Sequence, residues 1–164
     1  YILDGGEAQL GLESTIVDLR DPRRPVLLRP GFITAARLTH ILGRRVTVHK
    51  TSSWPVSGRG QISPGLLTRH YSPRTPLVLH STLRTPAAVK PSEALLFLRK
   101  PSGLTRPHVF ELDARGDLRG AARRLFALLR SLDAMNFTKI HVELAPGRGL
   151  ADAINDRLRR AAAR

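Results

Sequence analysis

A long connection between two regularly patterned segments is the feature that most restricts how this chain can fold. Residues 50–75 hold five serines, three prolines and three glycines, and they follow neither a helical nor a strand periodicity. Twenty-six residues without regular structure are unusual inside a compact domain. We therefore predict two folded units, residues 1–49 and residues 76–164, joined by an interdomain linker over residues 50–75.

The first unit has the pattern of a small α/β segment. Residues 14–19 alternate and are β-branched, and residues 26–28 follow a proline-containing turn, so the two stretches predict a hairpin. Thr34 is the predicted N-cap of a short helix that ends at Leu42. Residues 44–49 are predicted to form a further strand. The inner face of the helix is predicted to consist of Leu38, Ile41 and Leu42.

The second unit alternates strands with helices. Residues 94–98 are almost wholly apolar, as expected for a strand that is buried on both faces. Such alternation predicts an α/β fold with a small, mostly parallel sheet. Strands are predicted over residues 77–79, 94–98, 109–112 and 140–144, and helices over residues 118–132 and 150–163. The final helix is predicted to turn Leu150, Ala153, Ile154 and Leu158 inward.

The charge distribution favours an anionic ligand. The net charge is +14, and residues 22–92 contain twelve Lys or Arg but no Asp or Glu. A nucleotide or an RNA surface suits such a stretch. The alternative is coding bias, because only four of the 27 basic residues are Lys. No apolar run is long enough for a membrane span, cysteine is absent, and the six histidines lack metal-ligand spacing. We expect no membrane contact, no protein-bound metal and a cytoplasmic location.

Two short blocks in the first unit carry candidate binding residues. Ser14 and Thr15 follow a glycine turn and open a strand, where their hydroxyls can bind a carboxylate, an amine or a phosphate. Alternatively, they only support the turn and the strand. Arg29 ends the next strand before Pro30 and Gly31, so its guanidinium can contact phosphate while the glycine allows a close backbone approach. Alternatively, Arg29 is simply solvated.

The linker contains side chains that a plain spacer does not need. Arg69, His70 and Tyr71 stand in a row, and they can stack on an adenine or close over a pocket. The alternative is that Tyr71 anchors the linker to a domain. A third block, residues 146–150, joins a strand to a helix and could hold an anion, although Asp152 in the first turn would compete with it.

Three blocks together resemble the two-domain form of threonylcarbamoyl-AMP synthase. They are the segment from Asp4 to Gly31, the linker segment from Ser63 to Pro73, and residues 149–158 of the final helix, and they occur in the order typical of that family. The resemblance implies the C-terminal part of a YrdC-like α/β domain, then a linker, then a small Rossmann-like domain. It extends over essentially the whole chain.

The resemblance also implies a reaction and a set of binding residues. The family makes threonylcarbamoyl-AMP and pyrophosphate from L-threonine, bicarbonate and ATP, a nucleotidyl transfer that serves threonylcarbamoyladenosine formation in tRNA. Carried over to this chain, Ser14 and Thr15 would bind threonine, while Arg29, Gly31, His70 and Tyr71 would bind the nucleotide. Mg²⁺ would accompany ATP with no protein ligand identified. The implied partners are tRNA or double-stranded RNA and tRNA-modification proteins.

The chain also departs from the family pattern. The family's substrate cleft uses a Lys-x-Arg segment and a Ser-x-Asn segment, and neither is present in this sequence. We therefore expect the 164-residue chain to be inactive alone. No catalytic residue is assigned. The alternative function is a basic RNA-binding module without catalysis, which the acid-free stretch suits equally well. Aromatic residues make up only 5% of the chain, fewer than stacking-based RNA recognition usually employs.

Overall fold

Two β-sheets organise the chain in the computed structural model, which describes residues 1–6, 10–49, 72–83 and 89–163. The first sheet has three strands: β1 (Ile16–Asp18), β2 (Val26–Arg29) and β3 (Thr47–Val48). Strand β2 is central, and it pairs antiparallel with β1 and parallel with β3. Helix α1 (Ala35–Leu42) forms the crossover between the two parallel strands. The predicted hairpin is confirmed.

The second sheet has four strands in the order β4-β7-β5-β6, and every neighbouring pair is parallel. One amphipathic helix connects the last two strands in chain order and a second follows the last strand, so the predicted α/β fold with a parallel sheet is confirmed. The elements are β4 (Leu77–His80), β5 (Glu93–Phe97), β6 (Val109–Glu111), α2 (Leu118–Ala134), β7 (Lys139–Glu143) and α3 (Leu150–Ala162).

The core of the second unit lies mainly between the sheet and its two helices. Alternate residues of β5, Ala94 and Leu96, pack with Leu125 of α2 and Ile154 of α3. The intervening residues, Leu95 and Phe97, belong to a smaller cluster on the opposite face, with Leu83 and Val109. Strand β5 is therefore buried on both faces, as its continuous apolar sequence predicts.

Two predictions for the first unit are wrong in detail. Ile41 is 62% exposed rather than buried, whereas Leu38 and Leu42 are partly covered. At 100° per residue, Ile41 lies about 80° from the middle of the stripe that Leu38 and Leu42 share. The strand predicted over residues 44–49 is only Thr47–Val48. The start of the helix is as predicted, because the Thr34 hydroxyl accepts a hydrogen bond from the Arg37 N–H at 3.3 Å.

The final helix is buried on more sides than its apolar stripe indicates. Ala153, Ile154 and Leu158 are buried as predicted, but Asn155, Arg157 and Arg160 are buried as well. Asn155 is buried against Ala145 of the same unit, whereas Arg157 is covered by Glu13 and Pro30, because the segment before β1 packs on this unit. Leu12 contacts the main core. A Cβ added to Gly11 would lie 2.4 Å from the Arg123 Cα of α2, so only a glycine fits so close to the helix backbone.

Candidate functional site

The residues predicted from two separate sequence blocks meet where β1 and β2 pair. The Arg29 guanidinium donates one hydrogen bond to the Ser14 carbonyl at 2.9 Å and another to the Ser14 hydroxyl at 3.0 Å. Ser14 is exposed, and Arg29 is partly buried. The Ser14 hydroxyl accepts from Arg29, so its proton can still be donated to an acceptor such as a carboxylate. A fixed guanidinium beside it provides the positive charge that a carboxylate or phosphate needs.

The Thr15 hydroxyl, unlike that of Ser14, forms two hydrogen bonds to the backbone. It donates to the Ile33 carbonyl at 2.9 Å and accepts from the Ile33 N–H at 3.0 Å. A hydroxyl has one proton and two lone pairs, so after these two bonds it can only accept a further hydrogen bond. A ligand at Thr15 would therefore have to be a donor, such as an ammonium or hydroxyl group.

Gly31 is required by close packing within this site. A Cβ at position 31 would lie 2.6 Å from the Thr15 nitrogen and 2.9 Å from the Glu13 carbonyl oxygen. Real side chains do not tolerate such distances, so the glycine lets the two strand-end segments touch. In the described structure, the close approach that Gly31 permits is to the Glu13–Thr15 backbone.

A partly buried ion pair connects this site to the second unit. Glu13 accepts a short charge-assisted hydrogen bond from the Arg157 Nε of helix α3, and Arg157 also donates to the Pro30 carbonyl at 3.0 Å. Burial alone would raise the pKa of Glu13, but the hydrogen bond from Arg157 and the charges of Arg157 and Arg29 outweigh it. The pKa of Glu13 therefore lies below its ordinary value.

Two of the predicted site residues, His70 and Tyr71, lie outside the described residues. The described end of the predicted linker is anchored to the second unit. The Asp133 carboxylate of α2 accepts hydrogen bonds from the Thr75 N–H at 2.8 Å and from its hydroxyl at 2.9 Å. The Ser72 hydroxyl donates to the Arg160 carbonyl of α3 at 3.3 Å.

The N-terminus of α3 is already occupied by a carboxylate. Asp152 accepts a hydrogen bond from the Gly149 N–H at 2.8 Å. The Asp152 carboxylate would therefore compete with an anion at residues 146–150, as the sequence predicts. Within the described ranges, no group of three or more His, Asp or Glu has the arrangement of a metal site. None of the described helices has both the length and the apolar character needed to cross a bilayer.

Sequence reasoning missed Arg157 and its partner Glu13. Both residues lie in blocks that the sequence singled out. Arg157 follows Leu150 by seven residues and so lies within the apolar stripe of its helix, but its charge favours a solvent-exposed interpretation. The available signal was the position of Arg157, a charged residue at a helical spacing otherwise occupied by Leu150, Ala153, Ile154 and Leu158. Its significance depends on a contact between residues 144 positions apart, which periodicity does not reveal.

Comparisons with known proteins agree with this architecture. Residues 33–163 match the family model described as threonylcarbamoyl-AMP synthase, C-terminal domain. The threonylcarbamoyl-AMP synthases of Pyrococcus abyssi and Bacillus subtilis are each 30% identical to this sequence, over 98% of this chain and 48% of their own length. The crystal structure of P. abyssi Sua5 complexed with L-threonine superposes with a TM-score of 0.76 at 28% identity, over 97% of this chain and 48% of that one. The chain thus spans about half the length of the curated relatives it matches.

Proposed function

We propose that this chain, which belongs to the threonylcarbamoyl-AMP synthase family, works as the C-terminal part of an L-threonylcarbamoyladenylate synthase. The proposed reaction joins L-threonine and bicarbonate to the adenylyl group of ATP and releases pyrophosphate. The product would serve threonylcarbamoyladenosine formation in tRNA. We place the protein in the cytoplasm, together with the tRNA and the tRNA-modification proteins that use this product.

The observation that carries the proposal is the contact between Ser14 and Arg29. One strand end contributes a hydroxyl with a proton to donate, and its neighbour contributes a guanidinium fixed beside it. This pair suits the carboxylate of an amino acid next to the phosphate of a nucleotide. Support comes from the relative from P. abyssi, whose solved structure contains L-threonine.

Each binding residue has a distinct role in this proposal. Ser14 donates to the threonine carboxylate, and Thr15 accepts from its ammonium or hydroxyl group. Arg29 neutralises nucleotide phosphate, and Gly31 keeps the two strand ends close enough for both ligands. His70 and Tyr71 of the linker cover the nucleotide.

Positioning and charge neutralisation would supply most of the rate enhancement, because adenylyl transfer needs little covalent help from protein groups. Mg²⁺ would arrive with ATP and be held by its phosphates. The neighbouring Glu13 carboxylate already binds Arg157, so this proposal assigns the metal no protein ligand.

Substitutions test the proposal in the full-length protein. By this we mean a protein in which this chain is joined to the part of its relatives that it does not match. Arg29→Ala should weaken ATP binding more than threonine binding, because a charge-assisted hydrogen bond contributes about 1.5–3 kcal/mol, or roughly one to two decades of affinity. Ser14→Ala should weaken threonine binding and leave ATP binding largely unchanged. Calorimetric titration of each ligand gives the affinities.

Arg20→Ala is the matched control, because Arg20 lies on the same hairpin and forms an exposed ion pair with Asp18 at 2.6 Å. Its ligand affinities should equal those of the wild type. Equal losses for both ligands in the Arg29 and Ser14 variants would contradict the assigned roles. The 164-residue chain alone should not form threonylcarbamoyl-AMP from labelled bicarbonate, since the Lys-x-Arg and Ser-x-Asn segments are missing. Product formed by this chain alone would refute our placement of the active site.

The second candidate function is RNA binding without catalysis, which the acid-free residues 22–92 favour. Phosphate contacts would make such binding strongly salt-dependent. Arg119 of helix α2 forms a cation–π contact instead of being directed only to solvent, because its guanidinium lies 5.1 Å from the centre of the Phe32 ring. Tight, salt-sensitive RNA binding by a full-length protein that binds neither ATP nor threonine would favour this function over the synthase.

A further inference from the structure

Arg157 is a charged residue at the centre of the contact between the two units. Only 2% of its side chain is exposed, although it lies on the last helix of the second unit. Its Nε donates to Glu13, one terminal nitrogen donates to the Pro30 carbonyl at 3.0 Å, and the other donates to Asp156 at 2.5 Å. A buried guanidinium is costly unless its donors are paired, and here each of the three nitrogens has an acceptor.

The two distant partners of Arg157 flank the candidate site. Glu13 immediately precedes Ser14, and Pro30 immediately follows Arg29. The Ser14–Arg29 contact is therefore held from both sides by one guanidinium. Arginine suits this task because its planar fork presents donors in fixed directions, whereas a lysine ammonium offers one rotatable point charge.

A second contact restricts the same segment. Gly11 lies against the backbone of α2 at Arg123, at a distance that leaves no room for a Cβ. In the segment from Gly11 to Ser14, Gly11 thus contacts α2 and Glu13 contacts α3. Both contacts come from the second unit, so that unit contributes directly to the geometry of the site in the first.

We propose that Arg157 is a positioning residue for the site formed by Ser14, Thr15 and Arg29. This inference rests on the proposed synthase function. Arg157 would set the spacing between the threonine-binding and the nucleotide-binding strand ends by holding the Glu13 carboxylate and the Pro30 carbonyl at once. In a reaction that depends on orienting two substrates, a misplacement of about 1 Å can reduce the rate by about 10²-fold. The second unit would then be needed for catalysis without touching substrate.

The variants Arg157→Met and Arg157→Lys in the full-length protein test this role. Arg157→Met keeps a flexible side chain but removes every donor, and we expect kcat/KM to fall by about 10²-fold. Arg157→Lys keeps the charge and one contact, so it should recover part of that loss. Arg159→Met is the matched control, because Arg159 lies on the exposed side of the same helix, and its kcat/KM should be unchanged.

Kinetics and stability must be measured together to separate positioning from folding. Activity is assayed at temperatures where thermal unfolding shows each variant to be fully folded. A positioning role lowers kcat under these conditions and weakens threonine binding measured by calorimetry. A purely structural role lowers only the unfolding temperature, and a folded Arg157→Met variant with wild-type kcat and threonine affinity would overturn the inference.

Glu13→Gln keeps the inference testable if Arg157→Met does not fold. The amide oxygen can still accept from Arg157, but the charge assistance is lost, so we expect a smaller loss of about tenfold in kcat/KM. The Arg157→Met/Glu13→Gln double variant should be no worse than Arg157→Met alone, because both changes remove one interaction. Additive losses would contradict the inference. If the wild-type protein makes no threonylcarbamoyl-AMP, the proposed function itself fails.

Discussion

Asn155 should be one of the most sensitive polar positions in the second unit. Its side-chain amide is buried and forms a closed pair with the backbone of Ala145, just after strand β7. The amide oxygen accepts from the Ala145 N–H at 2.8 Å, and the amide nitrogen donates to the Ala145 carbonyl at 2.8 Å. Because one backbone donor and one acceptor face it, only one orientation of the amide satisfies both.

The structure gives an approximate magnitude for removing this side chain. Asn155→Ala breaks two hydrogen bonds and leaves both polar groups of Ala145 without those partners, although Ala145 is only 5% exposed. Each unsatisfied buried group costs about 1–3 kcal/mol. We therefore expect the free energy of unfolding to fall by about 2–6 kcal/mol, which corresponds to a decrease in Tm of about 4–24 °C.

Urea unfolding of the wild type, Asn155→Ala and Asn155→Asp at pH 7 measures the effect. Asn155→Asp keeps an acceptor for the Ala145 N–H but turns a carboxylate oxygen toward the Ala145 carbonyl, so it should be at least as destabilising as alanine at this pH. Acidification should partly restore its stability relative to Asn155→Ala, because a protonated carboxyl can donate. Arg159→Ala, on the exposed side of α3, is the control. A change below about 0.5 kcal/mol for Asn155→Ala would refute the reasoning, since it would place Asn155 among ordinary surface positions.

Two further predictions concern the site. Gly31→Ala should destabilise the first unit and weaken threonine binding, because a Cβ 2.6 Å from the Thr15 nitrogen must displace the segment that carries Ser14; calorimetry on the full-length protein tests this, and unchanged affinity would contradict it. Stability should also fall under acid conditions. Since the pKa of folded Glu13 lies below its ordinary 4.5, the stability that Glu13 contributes is fully present above pH 4.5 and is lost as the pH falls through the folded pKa. Urea midpoints measured from pH 6 to pH 3 should decline less in Glu13→Gln than in the wild type, and parallel declines would argue against this origin.

The fold of the second unit follows closely from its sequence because its elements bury regular stripes. Helix α2 presents Ala122, Leu125, Leu129 and Leu132 to the core, as the 3.6-residue period predicts. Strand β5 is continuous in apolar residues and is buried on both faces. In such elements the burial of side chains and the local periodicity agree, so pattern reasoning succeeds.

Pattern reasoning succeeded less well for two residues whose burial does not follow from their polarity. Ile41 has an apolar side chain but points away from the described neighbours, and Arg157 is charged but buried. Neither outcome depends on local propensity. For the candidate site, the sequence identified Ser14, Thr15, Arg29 and Gly31 as separate blocks, and the structure brings them together. Sequence reasoning did not indicate that Arg157 of the last helix contacts Glu13 and Pro30, the neighbours of these residues.

The way the two units touch also bears on why the second unit is part of the protein. A boundary made only of apolar side chains would tolerate small sliding movements, because the hydrophobic effect has no preferred direction. Here the boundary includes a guanidinium with an acceptor for each of its three nitrogens and a glycine in close contact with a helix backbone, and both impose a defined distance. Replacing a buried ion pair with apolar residues is often neutral or stabilising, so stability alone does not require Arg157. A requirement for accurate spacing at the Ser14–Arg29 contact explains why the costlier, directional contact is used at this boundary.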